Sequence, residues 1–132
     1  MGFFELSIIY RVNQKFPKNE KLKSSKTISE LFLEGKVHTQ FPIRMLYKAN
    51  SEETNRIAFS VPKRRFKHAV DRNRIKRQLR EVYRLNKNLL VNDSGISQDI
   101  MFIYLGNKLP EYALLEKKMI KLLASLAEDY QG

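Results

Sequence analysis

Residues 69–90, AVDRNRIKRQLREVYRLNKNLL, constrain the fold more than any other part of the chain. Ile75, Leu79, Val82 and Tyr83 recur at i, i+4, i+7 and i+8, the period of a helix with one narrow apolar stripe. A helix this polar gains most of its stability from docking that stripe on another layer. The flanking segments supply the layer. Before it, RIAFSV puts Ile57, Phe59 and Val61 on one face of a strand and Ala58 and Ser60 on the other, and Pro62 stops it. After it, DIMFIYL (99–105) is apolar on both faces. That pattern suits a central strand covered on two sides, or on one side by protein and on the other by a flat ligand.

The remaining segments extend the same plan. TISE reads as a capping box, Thr27 with Glu30, opening a first helix that places Ile28, Leu31 and Phe32 on one face and ends at Gly35. FPIRMLYKA alternates Ile43, Met45 and Tyr47 against Arg44, Leu46 and Lys48, the period of a half-buried strand, and NSEETN is a turn. NDSG ends the basic helix, and EYALLEKKMIKLLASLAEDY is an amphipathic helix with Leu115, Met119, Leu122 and Leu126 facing inward. The order is helix, two or three strands, helix, strand, helix, within the size of one domain.

The start, MGFFELSIIYRVNQKF, lacks a leading positive charge and a small-residue cleavage site, so it reads as an N-terminal extension (1–12) rather than a secretory signal. The domain is then 13–132. No run has the length of a membrane span. The absence of cysteine removes thiolate chemistry and fits a reducing, cytoplasmic location.

Charge points to the partner. The chain carries +11, and PKRRFKHAVDRNRIKRQLR (62–80) holds nine Lys or Arg against the single acid Asp71. Like charges packed this closely repel, so a polyanion is the expected ligand. On a helix, Asn73, Arg77, Arg80 and Arg84 line up opposite Ile75, Leu79 and Val82, flanked by Arg74, Lys76 and Lys87. Guanidinium forks in such a row suit bidentate contacts to phosphates and base edges. An ordinary solvated helix face intersperses acids at i±4, and here Glu81 is the only acid between Arg72 and Arg84. A membrane-surface helix would carry Trp and Phe anchors on the stripe, which holds Ile, Leu and Val instead.

RNRIKRQLRE, preceded by RIAFSVPKRRFKHAV and by EKLKSSKTISELFLEGK, closely resembles the protein subunit of bacterial ribonuclease P, whose signature is an Arg-Asn-Arg core on a basic helix. The resemblance runs from about Asn13 to the C-terminal helix. It departs from the family at Phe66, Lys67 and His68, where a Gly-Asn or Gly-Lys pair is frequent. It implies an α+β fold: a two-layer, ribosomal-protein-like α/β sandwich of about four strands, with the basic helix in a left-handed βαβ crossover. It also implies that the catalyst is an RNA subunit, which binds Mg2+ and hydrolyses precursor tRNA at the 5′ end of the mature sequence. The protein itself would bind no cofactor, join the catalytic RNA one to one, and be monomeric when free.

The residues expected to touch RNA are Lys63, Arg64, Arg65, Lys67, His68, Arg72, Asn73, Arg74, Lys76, Arg77, Arg80 and Arg84. The sheet face near the first helix would hold the single-stranded 5′ leader, for which aromatic faces beside cations are the usual grip. Phe32, Tyr47 and Phe59 are the candidates, with Phe102 and Tyr104 also in reach, and each has core packing as its alternative. The family's first-strand tyrosine aligns with Leu46 or Tyr47. No catalytic constellation is visible: His38 and His68 are the only histidines, and no carboxylate cluster or glycine-rich phosphate loop accompanies them. The competing function is a non-catalytic RNA-binding module, ribosome-associated or chaperone-like.

Overall fold

The computed structural model describes residues 20–90 and 96–131; the extension assigned to 1–12 and the NDSG stop lie outside them. Helix α1 (Ser25–Glu34) leads into strands β1 (Lys36–Gln40), β2 (Ile43–Asn50) and β3 (Arg56–Ser60). Helix α2 (Ala69–Asn86) and a 3-10 turn (Lys87–Leu90) follow, then β4 (Ser97–Tyr104) and α3 (Tyr112–Gln131). The sheet runs β1-β2-β4-β3. β1–β2 and β2–β4 are antiparallel and β3–β4 parallel, so α2 is the crossover between neighbouring parallel strands.

Alternation along the strands sorts side chains onto two faces. On one, Ile43, Met45, Tyr47, Ile57, Ile100, Phe102 and Tyr104 meet Ile75, Leu79, Val82 and Tyr83 of α2 and Leu115, Met119, Leu122 and Leu126 of α3. Both helical stripes therefore face inward as the periodicity predicts. This is the two-layer sandwich. On the far face Leu46 and Met101 meet Leu31 of α1 and Leu22, so α1 adds a partial third layer. β4, paired on both sides and covered on both faces, is the central strand that DIMFIYL predicts.

One local reading changes, and one strand appears that periodicity does not mark. Helix α1 begins earlier than TISE suggests: Ser24 is its N-cap, its Oγ accepting from the Thr27 amide at 3.3 Å, so Thr27 is already helical. Strand β1, KVHTQ, has a largely exposed, polar pattern without the alternation that marks its neighbours. Gly35 does end α1, its N–H donating to Leu31 O. Its backbone is ordinary; the need for glycine is space, because a Cβ would stand 2.5 Å from that same oxygen.

At the far end of the sheet Asp99 is buried and fully partnered. Arg56 donates from Nε and Nη2 at 2.8 and 2.9 Å, and Asn50 Nδ2 adds a third bond at 2.8 Å. Ahead of α1, Lys21 bridges Ile57 in parallel and the Leu22 amide donates to Ile57 O at 2.8 Å, pinning residues 20–23 along the outer edge of β3. Lys87 holds the same segment through Glu20 at 3.0 Å. No helix among the described residues is long and apolar enough to cross a membrane.

Candidate nucleic-acid interface

With its apolar stripe fully buried, α2 must turn its cations outward. Asn73, Arg74, Arg77 and Arg80 are exposed and Lys76 is half-buried beside them. Arg84, expected to complete the row, is half-buried and paired with Glu81, Nη2 to Oε1 at 2.6 Å. That hydrogen bond raises the Arg84 pKa. The free ridge thus runs from Asn73 to Arg80.

The loop before α2 carries Lys63, Arg64, Arg65, Lys67 and His68, all exposed. Contacts at both ends hold it. The Arg65 amide donates to Pro62 O at 3.2 Å, closing a turn. The Phe66 ring is buried 5.9 Å from that of Tyr104. Arg72 reaches back from the first turn of α2, its Nη1 donating to Phe66 O at 2.7 Å and Lys67 O at 2.9 Å. The segment where the sequence departs from the family pattern is thus anchored by a buried aromatic.

The aromatic candidates separate. Phe32 is 60% exposed on α1. Tyr47 is a correction: it lies on the opposite face, buried, stacked on His38, with its hydroxyl donating to Asp129 and lying 3.0 Å from His38 Nε2. The residue of β2 that faces α1 is its neighbour Leu46. Phe102 and Tyr104 are likewise core residues on the α2–α3 side. Phe59 packs on Phe102 and edge-on to Tyr83, yet still borders the surface.

That surface is a groove of about 490 Å³ along the edge of β3. Lys21 and Lys23 stand on one side, Lys76 and Arg80 on the other, over a floor that includes Ala58 and Met101, and among the described residues no acid lines it. Ile28 of α1 contributes to the wall, and Phe32 sits one helical turn further along. Sequence reasoning does not single out Lys21 and Lys23. Their signal is present in EKLKSSK, a Lys-Leu-Lys in which the middle residue is the one that buries.

A cationic ridge beside a cationic, apolar-floored groove defines a polyanion-binding α+β protein. Comparison with known proteins makes this specific. The profile of the ribonuclease P family matches residues 16–127. The ribonuclease P protein component of Porphyromonas gingivalis is 39% identical over 118 residues, covering 83% of this chain and 85% of that one. That of Chlorobium phaeobacteroides is 29% identical over 125 residues, covering 83% and 86%. Among solved structures, the RNase P protein from Thermotoga maritima superposes with a TM-score of 0.69 at 23% identity, covering 80% of this chain and 96% of that one. The Staphylococcus aureus RNase P protein gives 0.67 at 20%, covering 83% and 95%, so the two share this fold. The chain belongs to the ribonuclease P protein family, the protein component of a tRNA-processing endoribonuclease.

Proposed function

We propose that the chain joins the catalytic RNA of ribonuclease P through the α2 ridge and the 62–68 loop, and holds the 5′ leader of precursor tRNA in the groove between α1 and α2. The observation that carries this reading is the difference between the two surfaces. Arg74 and Arg77 stand free on a convex helix, suited to the phosphates of a folded RNA. The groove instead sets Lys21, Lys23, Lys76 and Arg80 around an apolar floor. Single strands bind such grooves, backbone on the cations and bases on the apolar surface.

The chemistry belongs to the RNA in this proposal. Among the described residues no group of three or more His, Cys, Asp or Glu side chains is placed to hold a metal ion. Asp99, the buried carboxylate, has its oxygens taken by Arg56 and Asn50. In this reading the Mg2+ expected to assist phosphodiester hydrolysis is held by the RNA. The protein's contribution is to neutralise phosphates and fix the leader, as one copy per RNA, in the cytoplasm.

Photo-crosslinking from two positions tests the division. A crosslinker replacing Phe32 should capture the leader of precursor tRNA, and one replacing Arg74 should capture the RNA subunit. Capture of the RNA subunit from both positions would remove the leader from the groove.

A further inference from the structure

Arg72 is among the residues expected from the sequence to contact RNA, but the structure turns its guanidinium back onto the loop that precedes the helix. We infer that Arg72 is a positioning residue: a clamp that orders the cationic loop 62–68 before RNA arrives, rather than one of the phosphate contacts. Its Nη1 donates to Phe66 O at 2.7 Å and to Lys67 O at 2.9 Å, two carbonyls that precede the helix. His68, the N-cap, makes no side-chain capping bond, so the capping side chain at this helix start offers no tie to the loop. Arg72 provides one from inside the helix.

The loop needs it. Lys63, Arg64, Arg65 and Lys67 are four cations within five residues, and their repulsion favours a spread ensemble over one conformation. On one side the chain is pinned by the Pro62 turn and the buried Phe66 ring. On the other it is pinned by Arg72 on the last two carbonyls before His68. A loop ordered in advance binds without having to lose that freedom on contact. This inference rests on the proposed RNA-binding role of the loop, but its primary test does not involve RNA.

Arg72→Met keeps the length of the stem and removes every donor. Amide hydrogen exchange of the free protein should show faster exchange across 63–68 in this variant, with α2 and the sheet unchanged. Arg74→Ala, which removes an exposed cation, should leave the loop as in the parent chain. Affinity for the RNA subunit should fall on the order of tenfold, the scale of ordering one residue's backbone. Its salt dependence should stay the same, because the loop cations still meet phosphates. In the parent protein, without any substitution, the guanidinium signals of Arg72 should be protected from solvent exchange before RNA is added, unlike those of Arg74 and Arg77. Unchanged loop exchange in folded Arg72→Met, or an Arg72 guanidinium that exchanges as freely as that of Arg74, would overturn the clamp. A loosened loop with unchanged RNA affinity would keep the clamp and reject the loop as an RNA contact, so the two failures are distinguishable.

Discussion

Replacing Phe32 with alanine should damage leader recognition while leaving the fold intact. Full burial of such a side chain is worth about 1.5–3 kcal/mol. Phe32 is 60% exposed, and the covered remainder scales that to about 1 kcal/mol. A domain stable by about 5–15 kcal/mol survives such a loss. Truncating Phe102, fully buried, would instead cost about 3–5 kcal/mol. Stacking on one base is worth about 1–3 kcal/mol. The assembled ribonucleoprotein should therefore bind precursor tRNA about fivefold to 150-fold more weakly. Mature tRNA has no leader, so its affinity should hardly move. Equilibrium binding of both labelled tRNAs at saturating protein, with melting curves of the variant alongside, reads out both terms. Equal weakening of the two tRNAs, or an undiminished preference for the precursor in a folded variant, would refute the assignment of Phe32 to the leader.

Three further outcomes follow from the same geometry. Changing Arg74 and Arg77 together to alanine should flatten the salt dependence of RNA-subunit binding by about 0.7–0.9 in log–log slope for each phosphate no longer neutralised; an unchanged slope would take the ridge out of the interface. Arg56→Ala leaves the buried Asp99 without its main partner and should cost about 3 kcal/mol in denaturant unfolding, whereas Arg74→Ala should stay within about 0.5 kcal/mol. Tyr47→Phe should cost about 1 kcal/mol near neutral pH. Hydrogen bonds from Tyr47 and then His38 hold Asp129 below the ordinary carboxylate range, so its stabilisation is present above that range and is lost as pH falls through the lowered pKa. Urea unfolding across the acid range should show the gap between parent and Tyr47→Phe closing as pH drops, and a gap that widens would contradict it.

Much of this fold is legible in local periodicity. Ile75, Leu79, Val82 and Tyr83, and Leu115, Met119, Leu122 and Leu126, bury as their spacing requires, because a helix facing one core repeats its apolar residues at fixed offsets. β1 is hard to read because Lys36–Gln40 is a mostly polar edge strand with little to bury. Alternation groups Tyr47 with Ile43 and Met45 and sets Leu46 opposite, as observed, but it does not tell which face meets α1, since β2 is covered on both sides and both residues are buried. In the site, the outward cations of α2 follow from the stripe opposite them. The fate of Arg84 is visible in Glu81 three residues earlier. That of Arg72 is not, because its acceptors are backbone carbonyls, which no side-chain pattern reveals.

The most direct test of the proposed role is reconstitution of precursor-tRNA cleavage with a bacterial ribonuclease P RNA at low magnesium. The protein alone should cleave nothing. With the RNA, adding the protein should lower the magnesium needed and increase cleavage at the 5′ end of the mature sequence, with precursor tRNA favoured over substrates whose leader has been trimmed away. Cleavage by the protein without RNA, or RNA-catalysed cleavage that the protein leaves unchanged, would contradict that role.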